Sequence, residues 1–516
     1  MAPLIHHLRQ YTIIYLLLAG LLTPLIFGKE LLFPFVVYRT YFFYVIVDLA
    51  LLVWLSRGGY RAIRGWRHNY VLVALLLFLL VKIFTDMLGE NPWSSIWSDY
   101  ERLMGWYTWL HIGLYAFLLA QAFSVVQYRR VFMTMIAVAA LVSIYGLLQH
   151  TGVAFRVRDI DPRLFSTVGN PAFLAQFLLL SGFLAAQEAA RDQTKAHVWR
   201  WLAADAVIGW ALVLTATRGA LVGAYVGTVF ALVYRFWVGR HDPEERALRR
   251  RVAWAGGVLL FLPIGMVALA KTPIADYSLT LSRLGTIGFA EQSVRARGFL
   301  WQSAWQAIRE KPFLGYGESH ARVVMDRLYD PRIFEQSFDS AHNIILDTII
   351  SHGIVGLLAA VFLLFALVRA LSRSRAAGRW ANGIGLGLLA AYIVQGQFIF
   401  DTLAGVIPLC AFIGYCLRLE HEAMRSRAAP SLVDRAGRSA LPIRLVALAS
   451  ILVAFAWYTR GWQALSAVSQ GHRIVNQGGS VATAVGPSVE LSVGTLRQPS
   501  TEWPSSRSTR SNVRSQ

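Results

Sequence analysis

The stretch that decides the fold begins with EQSVRARGFLWQSAWQAIREKPFLGYG (residues 291–317) and ends with FDSAHNIIL (residues 338–346). It is mostly polar and lies between two long apolar runs, near residues 252–270 and 342–368. An apolar run of about 20 residues is long enough to cross the hydrocarbon core of a bilayer. The stretch is therefore expected to be a loop that flanking membrane helices hold against the bilayer surface.

The composition of the whole chain agrees with a membrane protein. Of its 516 residues, 56% are hydrophobic and 15% are charged, and the mean hydropathy is +0.48. These values exclude an ordinary soluble domain. The formal net charge of +20 comes largely from arginines in short connections between apolar runs, where they act as topology signals and contacts to anionic lipid. We therefore expect membrane lipids, and no nucleic acid, as partners.

The apolar runs predict an all-α fold, a polytopic integral membrane protein of about 12–13 transmembrane helices with one large helical loop outside the membrane. The predicted spans lie near residues 11–27, 32–55, 69–86, 105–124, 130–148, 169–186, 198–216, 219–237, 252–270, 342–368, 380–400, 402–418 and 441–458.

The orientation of the helices follows from the arginines. The connections after the even-numbered spans are rich in arginine, which places them, and the N-terminus, in the cytoplasm. Three segments then lie on the outer side, at residues 149–170, 217–219 and 271–341. An arginine in these segments runs against the charge bias and calls for a functional or structural reason.

One such arginine is Arg218, in the short connection TATRGA (residues 215–220). An arginine there can anchor a helix by reaching to the lipid headgroups. Alternatively, its guanidinium points into a cavity, where its fork of donors, next to Thr217, matches a diphosphate. The glycines at positions 219 and 223 predict close approach of another helix or a lipid tail.

A second outer segment ends in Gly169-Asn170-Pro171, immediately before a predicted span. This sequence is typical of a helix start, with Asn170 as the N-cap and proline at the first helical position. The free N–H groups at such a start would face the outer surface and form a site for anionic oxygens. Arg163, a few residues earlier, is a candidate to assist there.

The long outer loop contains a predicted amphipathic helix from Val294 to Arg309. Its apolar residues recur at three- and four-residue spacing and include two tryptophans, so we expect the helix to lie in the membrane interface. Arg297 precedes Trp301 by four residues and therefore projects near the same stripe, toward the headgroups. It is a candidate to bind phosphate, with Arg295 as a secondary candidate.

The loop ends in Ser340-Ala341-His342-Asn343, where the tenth predicted span begins. A single histidine at a membrane interface is commonly structural. However, with an unperturbed pKa near 6.5, an imidazole is also suited to accept a hydroxyl proton near neutral pH. His342 is therefore the candidate base. Asp339 or Asn343 is a candidate to hold its tautomer, and Asn343 is also a candidate to bind substrate.

Taken together, four motifs resemble the O-antigen ligase superfamily, which also contains O-antigen polymerases and pilin O-oligosaccharyltransferases. They are TxGNPAFLA from residue 167, TATRGA from residue 215, RxxxWxxAWxxIxxxPFLGYG from residue 297, and SAHNxxL…GxxG from residue 340. The resemblance covers about residues 160–360 and is specific in the order, the spacing and the predicted membrane side of its motifs.

The resemblance implies metal-independent, inverting glycosyl transfer, with no cofactor, from an undecaprenyl-diphosphate-linked glycan. Arg218, Arg297 and His342 match the family's functional positions and are the predicted catalytic residues. The predicted substrate-binding residues are Arg163, Asn170, Thr217, Arg295 and Asn343. The implied acceptor is lipid A-core, or another glycan or protein, at the periplasmic face of the bacterial inner membrane.

This reading divides the chain into four predicted parts. Residues 1–150 would be N-terminal transmembrane helices, and residues 151–418 a ligase-like catalytic core that includes the periplasmic loop 271–341. Residues 419–458 would form a cytoplasmic linker and the last transmembrane helix. The tail, residues 459–516, is rich in Ser, Thr, Arg and Gly and is predicted to be disordered.

The sequence leaves other functions open. An O-antigen polymerase or a protein O-oligosaccharyltransferase would use the same donor chemistry, and the acceptor contacts carry no separate motif. A polytopic transporter or flippase is an alternative of a different class. Transporters place paired ionisable residues near the membrane midplane, whereas Asp48, Lys82, Asp205 and Asp347 are scattered along the sequence.

Overall fold

The structure is a computed structural model of the full chain. The residues that it describes are 2–153, 162–192, 194–285, 292–328, 340–374 and 378–425, together with helical residues at 448, 452, 455–456, 458–463 and 465–470. All regular structure within these residues is helical, which confirms the predicted all-α class.

The α-helices between residues 2 and 425, in chain order, are α1 (Ala2–Gly20), α2 (Val37–Ser56), α3 (Tyr70–Met87), α4 (Pro92–Trp97), α5 (Trp106–Ala122), α6 (Tyr128–His150), α7 (Pro171–Arg191), α8 (Lys195–Leu214), α9 (Arg218–Val238), α10 (Arg246–Leu269), α11 (Leu279–Gly285), α12 (Gln292–Glu310), α13 (Ala321–Arg327), α14 (Ile344–Arg373), α15 (Arg379–Gly396) and α16 (Leu403–Arg425).

Eight helices of the described part are, by length and composition, able to cross a membrane, which confirms a polytopic membrane protein. Four more predicted spans coincide with α1, α5, α8 and α15, which are shorter or less apolar. The span predicted at residues 441–458 falls mostly on residues outside the described ranges. The eight are Val37–Ser56, Tyr70–Met87, Tyr128–His150, Pro171–Arg191, Arg218–Val238, Pro243–Leu269, Ile344–Arg373 and Leu403–Arg425.

The chain divides into two compact units. The larger unit contains residues 1–28 and 33–449, and therefore every residue of the predicted site. The smaller unit contains residues 29–32 and 450–516, and in it the Leu32 amide donates a hydrogen bond of 2.8 Å to the Ser469 hydroxyl. The four-part division proposed from the sequence stays a prediction.

Helices α9 and α15 pack closely because glycines line their contact. A Cβ atom on Gly227 would lie 2.5 Å from the carbonyl oxygen of Gly387, and one on Gly223 would lie 2.9 Å from that of Ala391. Small residues allow helix backbones to approach in this way. The close approach predicted from the glycine at position 223 is thus present, and it positions the C-terminal end of α15 next to the start of α9.

The arginine-rich connections carry ion pairs at the end of the helices opposite to that where α9 begins. Arg235 pairs with Glu245 at 2.6 Å, and Arg379 reaches the same carboxylate at 3.0 Å. Arg369 pairs with Glu420 at 2.5 Å. These pairs join α9 and α15 to the turn before α10, and α14 to α16.

Helix α14 is interrupted at Gly353, and the motif PFLGYG (residues 312–317) packs into the interruption. Gly353 has φ +63°, and a Cβ atom there would lie 2.0 Å from the carbonyl oxygen of Phe313. The loop replaces the helical hydrogen bonds that are lost, since the Tyr316 and Gly317 amides donate to the carbonyls of Ile350 and Ser351 at 2.8 Å each. The motif therefore ties the long loop to the core of the bundle.

Helix α12 extends the helix predicted at residues 294–309 by a few residues, and its apolar stripe is buried by protein. Leu300, Ala304 and Ile308 form a small core with residues of α13 and α14, whereas Trp305 is 51% exposed. The apolar stripe therefore packs on α13 and α14. That α12 also lies in the membrane interface stays a prediction.

Candidate functional site

Segments that contain predicted site residues meet at the short connection between α15 and α16, residues 397–402. The Arg297 Nη2 atom donates to the carbonyl oxygen of Phe398 at 3.4 Å, and its guanidinium lies 5.6 Å from the Phe398 ring centroid. A Cβ atom on Gly219 would lie 2.8 Å from the same ring. Arg218, the residue before Gly219, and Arg297 therefore belong to segments that meet at Phe398.

The neighbouring Phe400 ring contacts the predicted catalytic histidine, His342. The His342 ring stacks on it with the centroids 5.5 Å apart and the planes at 29°. Phe173, in the first turn of α7, packs edge-on against the same ring at 5.2 Å. The guanidinium of Arg102 also lies over the Phe400 ring, 3.7 Å from its centroid. The starts of α7 and α14 and the segment before α5 thus converge at Phe400.

The backbone around His342 is held in an uncommon conformation. His342 has φ +49°, in the left-handed region that non-glycine residues rarely adopt. The carboxylate of Asp347 accepts hydrogen bonds from the Ser340 hydroxyl at 2.6 Å and the Ala341 amide at 2.8 Å, while the His342 amide donates to the Ser340 hydroxyl at 2.9 Å. One carboxylate therefore shapes the turn that presents the imidazole to Phe400.

A tryptophan of α12 connects the His342 turn to the helix that also contains Arg297. The Trp301 indole N–H donates to the carbonyl oxygen of Ala341 at 3.1 Å. Trp301 follows Arg297 by one helical turn, so the same face of α12 contacts both the His342 turn and Phe398. The four-residue spacing of Arg297 and Trp301 thus lets one face of α12 make both contacts.

Three of the predicted substrate-binding residues immediately precede helices. The Asn170 side chain accepts the Ala172 amide at 2.8 Å, and the Asn343 side chain accepts the Ile345 amide at 3.0 Å, so both are N-caps. Thr217 precedes α9, and its hydroxyl donates to the carbonyl oxygen of Pro171 at 3.4 Å. These contacts position the starts of α7, α9 and α14.

The two secondary arginines, Arg163 and Arg295, differ in their exposure. Arg163 is half-buried beside Leu164, whose amide donates to the carbonyl of Leu214 at the end of α8. Arg295 is exposed on the first turns of α12. The described contacts of Phe398 and Phe400 include neither of these side chains, so their roles stay predictions.

A cavity of about 300 Å³ opens beside Phe400. Its polar end contains Arg102, Asp347 and Asp401. Burial raises the pKa of the Asp401 carboxyl, although hydrogen bonds from Tyr392 at 2.7 Å and Gln176 at 2.9 Å oppose the shift. From this end the cavity runs along α14, where its lining is apolar: Leu357, Val361, Leu364 and Leu367.

A buried ionic cluster lines another part of the same cavity. The Lys82 Nζ atom lies 2.5 Å from Glu318 Oε2 and 2.6 Å from His352 Nε2, and the Glu318 amide donates to Asp86 at 2.7 Å. Burial alone would raise the pKa of the Glu318 carboxyl, but the Lys82 ammonium and His352 hold it well below its usual range. The position of Lys82 in the sequence suggested an isolated charge. In the structure, Lys82 joins α3 to α14 through His352 and to the long loop through Glu318.

The sequence interpretation missed Arg102, Phe398 and Phe400. Arg102 follows the third predicted span and therefore lies on the predicted outer side, where arginines are scarce. The charge bias that drew attention to Arg218 would have selected Arg102 as well. Phe398 and Phe400 carried no such signal, because phenylalanines near the end of a membrane span are ordinary.

Metal ligands are absent in the part of the chain that the structure describes, in the sense that no group of three or more His, Cys, Asp or Glu side chains there could hold an ion. His342 shares the Phe400 ring with the Arg102 guanidinium, and the Asp347 carboxylate holds the turn that contains His342. In general chemistry, an imidazole can accept a proton and a guanidinium can bind an anionic oxygen.

Comparison with known proteins agrees with the motifs. Residues 203–361 match the family model described as O-antigen ligase. A general O-oligosaccharyltransferase of Acinetobacter baylyi is 24% identical over 223 residues, which cover 42% of this chain and 38% of the relative. The match thus spans well under half of that relative. The resemblance to the O-antigen ligase superfamily is confirmed.

Proposed function

We propose that this chain, whose residues 203–361 match the O-antigen ligase family, transfers a glycan from a lipid-linked diphosphate to an acceptor hydroxyl. The observation that carries the proposal is the meeting of three separate segments at residues 397–402. These segments contain Arg218, Arg297 and His342, and they meet beside a cavity with one polar and one apolar end.

The donor in this proposal is an undecaprenyl-diphosphate-linked glycan. Its diphosphate gains negative charge as the bond to the sugar breaks, and fixed guanidinium groups in a water-poor site stabilise such charge best. We assign this role to Arg218 and Arg297. Because they supply positive charge without a metal ion, we propose a metal-independent reaction. The apolar part of the cavity along α14 suits a prenyl tail.

The acceptor hydroxyl attacks the anomeric carbon from the face opposite to the diphosphate, so the configuration inverts. A carbon–oxygen bond forms to the acceptor, the bond to the diphosphate breaks with its electron pair, and the hydroxyl proton passes to the imidazole of His342. The turn held by Asp347 supports this assignment, since it fixes where the imidazole points.

We propose lipid A-core as the acceptor and the periplasmic face of the bacterial inner membrane as the place of reaction. A second candidate is transfer to a protein hydroxyl, which the similarity to a general O-oligosaccharyltransferase favours. Polymerisation of lipid-linked repeats would use the same donor site. These acceptors share the proposed chemistry at the anomeric carbon and differ in what brings the hydroxyl.

The acceptor is tested by deleting the gene and examining both lipopolysaccharide and glycoproteins. Loss of all banding above lipid A-core, restored by the wild-type gene, is the expected result for a ligase. A single capping repeat on lipid A-core would instead indicate a polymerase. Intact banding together with loss of glycan from secreted or pilin proteins would replace ligation by protein glycosylation.

A further inference from the structure

The connection in which α9 ends and α10 begins carries an excess of positive charge. Residues 240–251 contain five arginines and three acidic residues. Two of the acidic side chains are paired with arginines of other segments, because Asp242 accepts from Arg379 at 3.1 Å and Glu245 pairs with Arg235 at 2.6 Å. The arginines of the 240–251 connection are therefore neutralised only in part.

On α10, one of these arginines begins a line of exposed side chains. Arg250, Trp254, Val258 and Leu262 follow one another at four-residue spacing and therefore lie on one face of the helix. All four are exposed, Trp254 by 69%. At 1.5 Å per residue the line is about 18 Å long, which is comparable to half of a hydrocarbon core about 30 Å thick. The line thus places a cation, an aromatic ring and two aliphatic side chains in that order over the length of one leaflet.

The end of α9 repeats this arrangement. The Arg240 guanidinium lies 3.6 Å from the centroid of the Trp237 ring, and Trp237 is 63% exposed. Val233 and Phe230, one and two turns earlier on the same face, are exposed as well. The Arg249 guanidinium donates to the carbonyl oxygen of Arg240 and so joins the start of α10 to the end of α9. The cationic ends of the two lines are therefore close to one another.

The charge bias of cytoplasmic connections accounts for arginines at this end of the helices. It does not require that arginines be aligned with exposed tryptophans on two adjoining helices. Tryptophan is favoured at the level of the lipid headgroups, and a guanidinium binds phosphate oxygens through parallel N–H···O bonds. The first turns of α10 are moreover an unfavourable place for cations, since the N-terminal end of a helix is itself positive. A phosphate bound to these arginines would offset that cost.

We propose that the two lines form a binding site for an anionic phospholipid of the leaflet that meets the 240–251 connection. Its phosphate binds Arg240 and Arg250, and its acyl chains lie along Val233 and Val258. This inference goes beyond the proposed function and does not depend on it. The lipid site lies at the end of the helices opposite to the candidate site and shares no residue with it.

Native mass spectrometry of the purified full-length protein tests the proposal, with dioleoylphosphatidylglycerol or dioleoylphosphatidylcholine added in detergent at equal concentration. The wild-type protein should bind phosphatidylglycerol preferentially. The double variant Arg240→Gln/Arg250→Gln should bind phosphatidylglycerol about tenfold more weakly, since each arginine near a headgroup adds attraction to an anionic lipid. Its binding of phosphatidylcholine should change little, because the apolar contacts remain.

The matched control is Arg309→Gln/Arg322→Gln, which removes two exposed arginines from α12 and α13 at the other end of the bundle. It should keep wild-type lipid binding. Glu244→Gln supplies a test that does not depend on the folding of the double variant. It removes an exposed acidic group from the 240–251 connection and should strengthen phosphatidylglycerol binding by about twofold or more.

Equal binding of the two lipids by the wild-type protein would overturn the inference, and so would wild-type affinity for phosphatidylglycerol in the double variant. If the double variant does not insert, unchanged phosphatidylglycerol binding by Glu244→Gln would have the same meaning. A dimer that Trp254→Ala abolishes would assign the exposed face of α10 to a second copy of the chain and would also overturn the inference. Each of these outcomes leaves the proposed function standing.

Discussion

At the scale of single residues, the site is organised by two phenylalanines that themselves carry no charge. Phe398 contacts Arg297 and the glycine after Arg218, and Phe400 contacts His342 and Arg102. A cation over an aromatic face gains about 0.5–2 kcal/mol, more where water is excluded. The rings thus hold the two arginine side chains and the imidazole near one connection of the chain.

Removal of the proposed catalytic side chains should abolish transfer without unfolding the protein. We expect His342→Ala to lower the transfer rate by about a hundredfold or more, since general base catalysis contributes roughly that factor. Arg218→Ala and Arg297→Ala should lose transfer as well. The measurement is glycan transfer by purified protein from a synthetic prenyl-diphosphate donor.

His68→Ala is the control for the histidine, because His68 is exposed in the connection before α3. It should retain full transfer. If any one of the three site variants kept near-wild-type transfer, that residue would be removed from the proposed machinery, and the remaining two would be tested alone.

At the scale of elements, the interruption of helix α14 anchors the long loop, which contains Arg297, to the helix bundle. The segment 312–317 completes the hydrogen bonds that α14 loses at Gly353, and Glu318 then enters the buried cluster with Lys82 and His352. Breaking a buried ion pair by removing one partner costs roughly 3–5 kcal/mol. The loop is therefore attached to the bundle by both its backbone and a side chain.

Substitution of Gly353 should release this attachment. Gly353→Ala forces a side chain into a left-handed conformation, with its Cβ atom 2.0 Å from the Phe313 carbonyl oxygen. We expect a loss of roughly 3 kcal/mol of stability, from backbone strain and overpacking together. Thermal unfolding in detergent measures the loss, and transfer activity should fall with it because α12 no longer positions Arg297.

Gly256→Ala on α10 is the matched glycine control, since a Cβ atom there meets nothing within 4 Å. It should leave the unfolding temperature unchanged or raise it slightly, as alanine favours a helix. An unfolding temperature for Gly353→Ala equal to that of the control would show that the 312–317 segment does not depend on the interruption of α14.

At the scale of the whole molecule, the helices have two chemically different ends. The connections after the even-numbered predicted spans carry ion pairs of arginine with Asp or Glu. The other connections carry the candidate site and the polar end of the cavity. Short connections rich in arginine stay in the cytoplasm, so we propose that the site faces the periplasm.

Cysteine labelling tests this orientation. The native cysteines, Cys410 and Cys416, are buried, so the background should be low. In cells with a permeabilised outer membrane, a membrane-impermeant maleimide should label Arg322→Cys and should not label Arg240→Cys until the inner membrane is opened. Both positions are exposed. The reverse pattern would place the site in the cytoplasm and contradict the proposed location.

The sequence by itself determined the features that depend on neighbouring residues. Apolar length predicted the membrane helices, and Asn170 was recognisable as a helix start because capping is a local interaction. The same holds for the predicted helix that contains Arg297, since periodicity is also local.

Only the tertiary structure decided which of these elements meet. The sequence contained no sign that residues 397–402 would collect the segments of Arg218, Arg297 and His342, or that Arg102 would join them. Nor did it reveal the pairing of Lys82 with Glu318, which are far apart along the chain. The physical reason is that ring contacts and buried ion pairs depend on distances in space, which hydrophobic length and local capping do not encode.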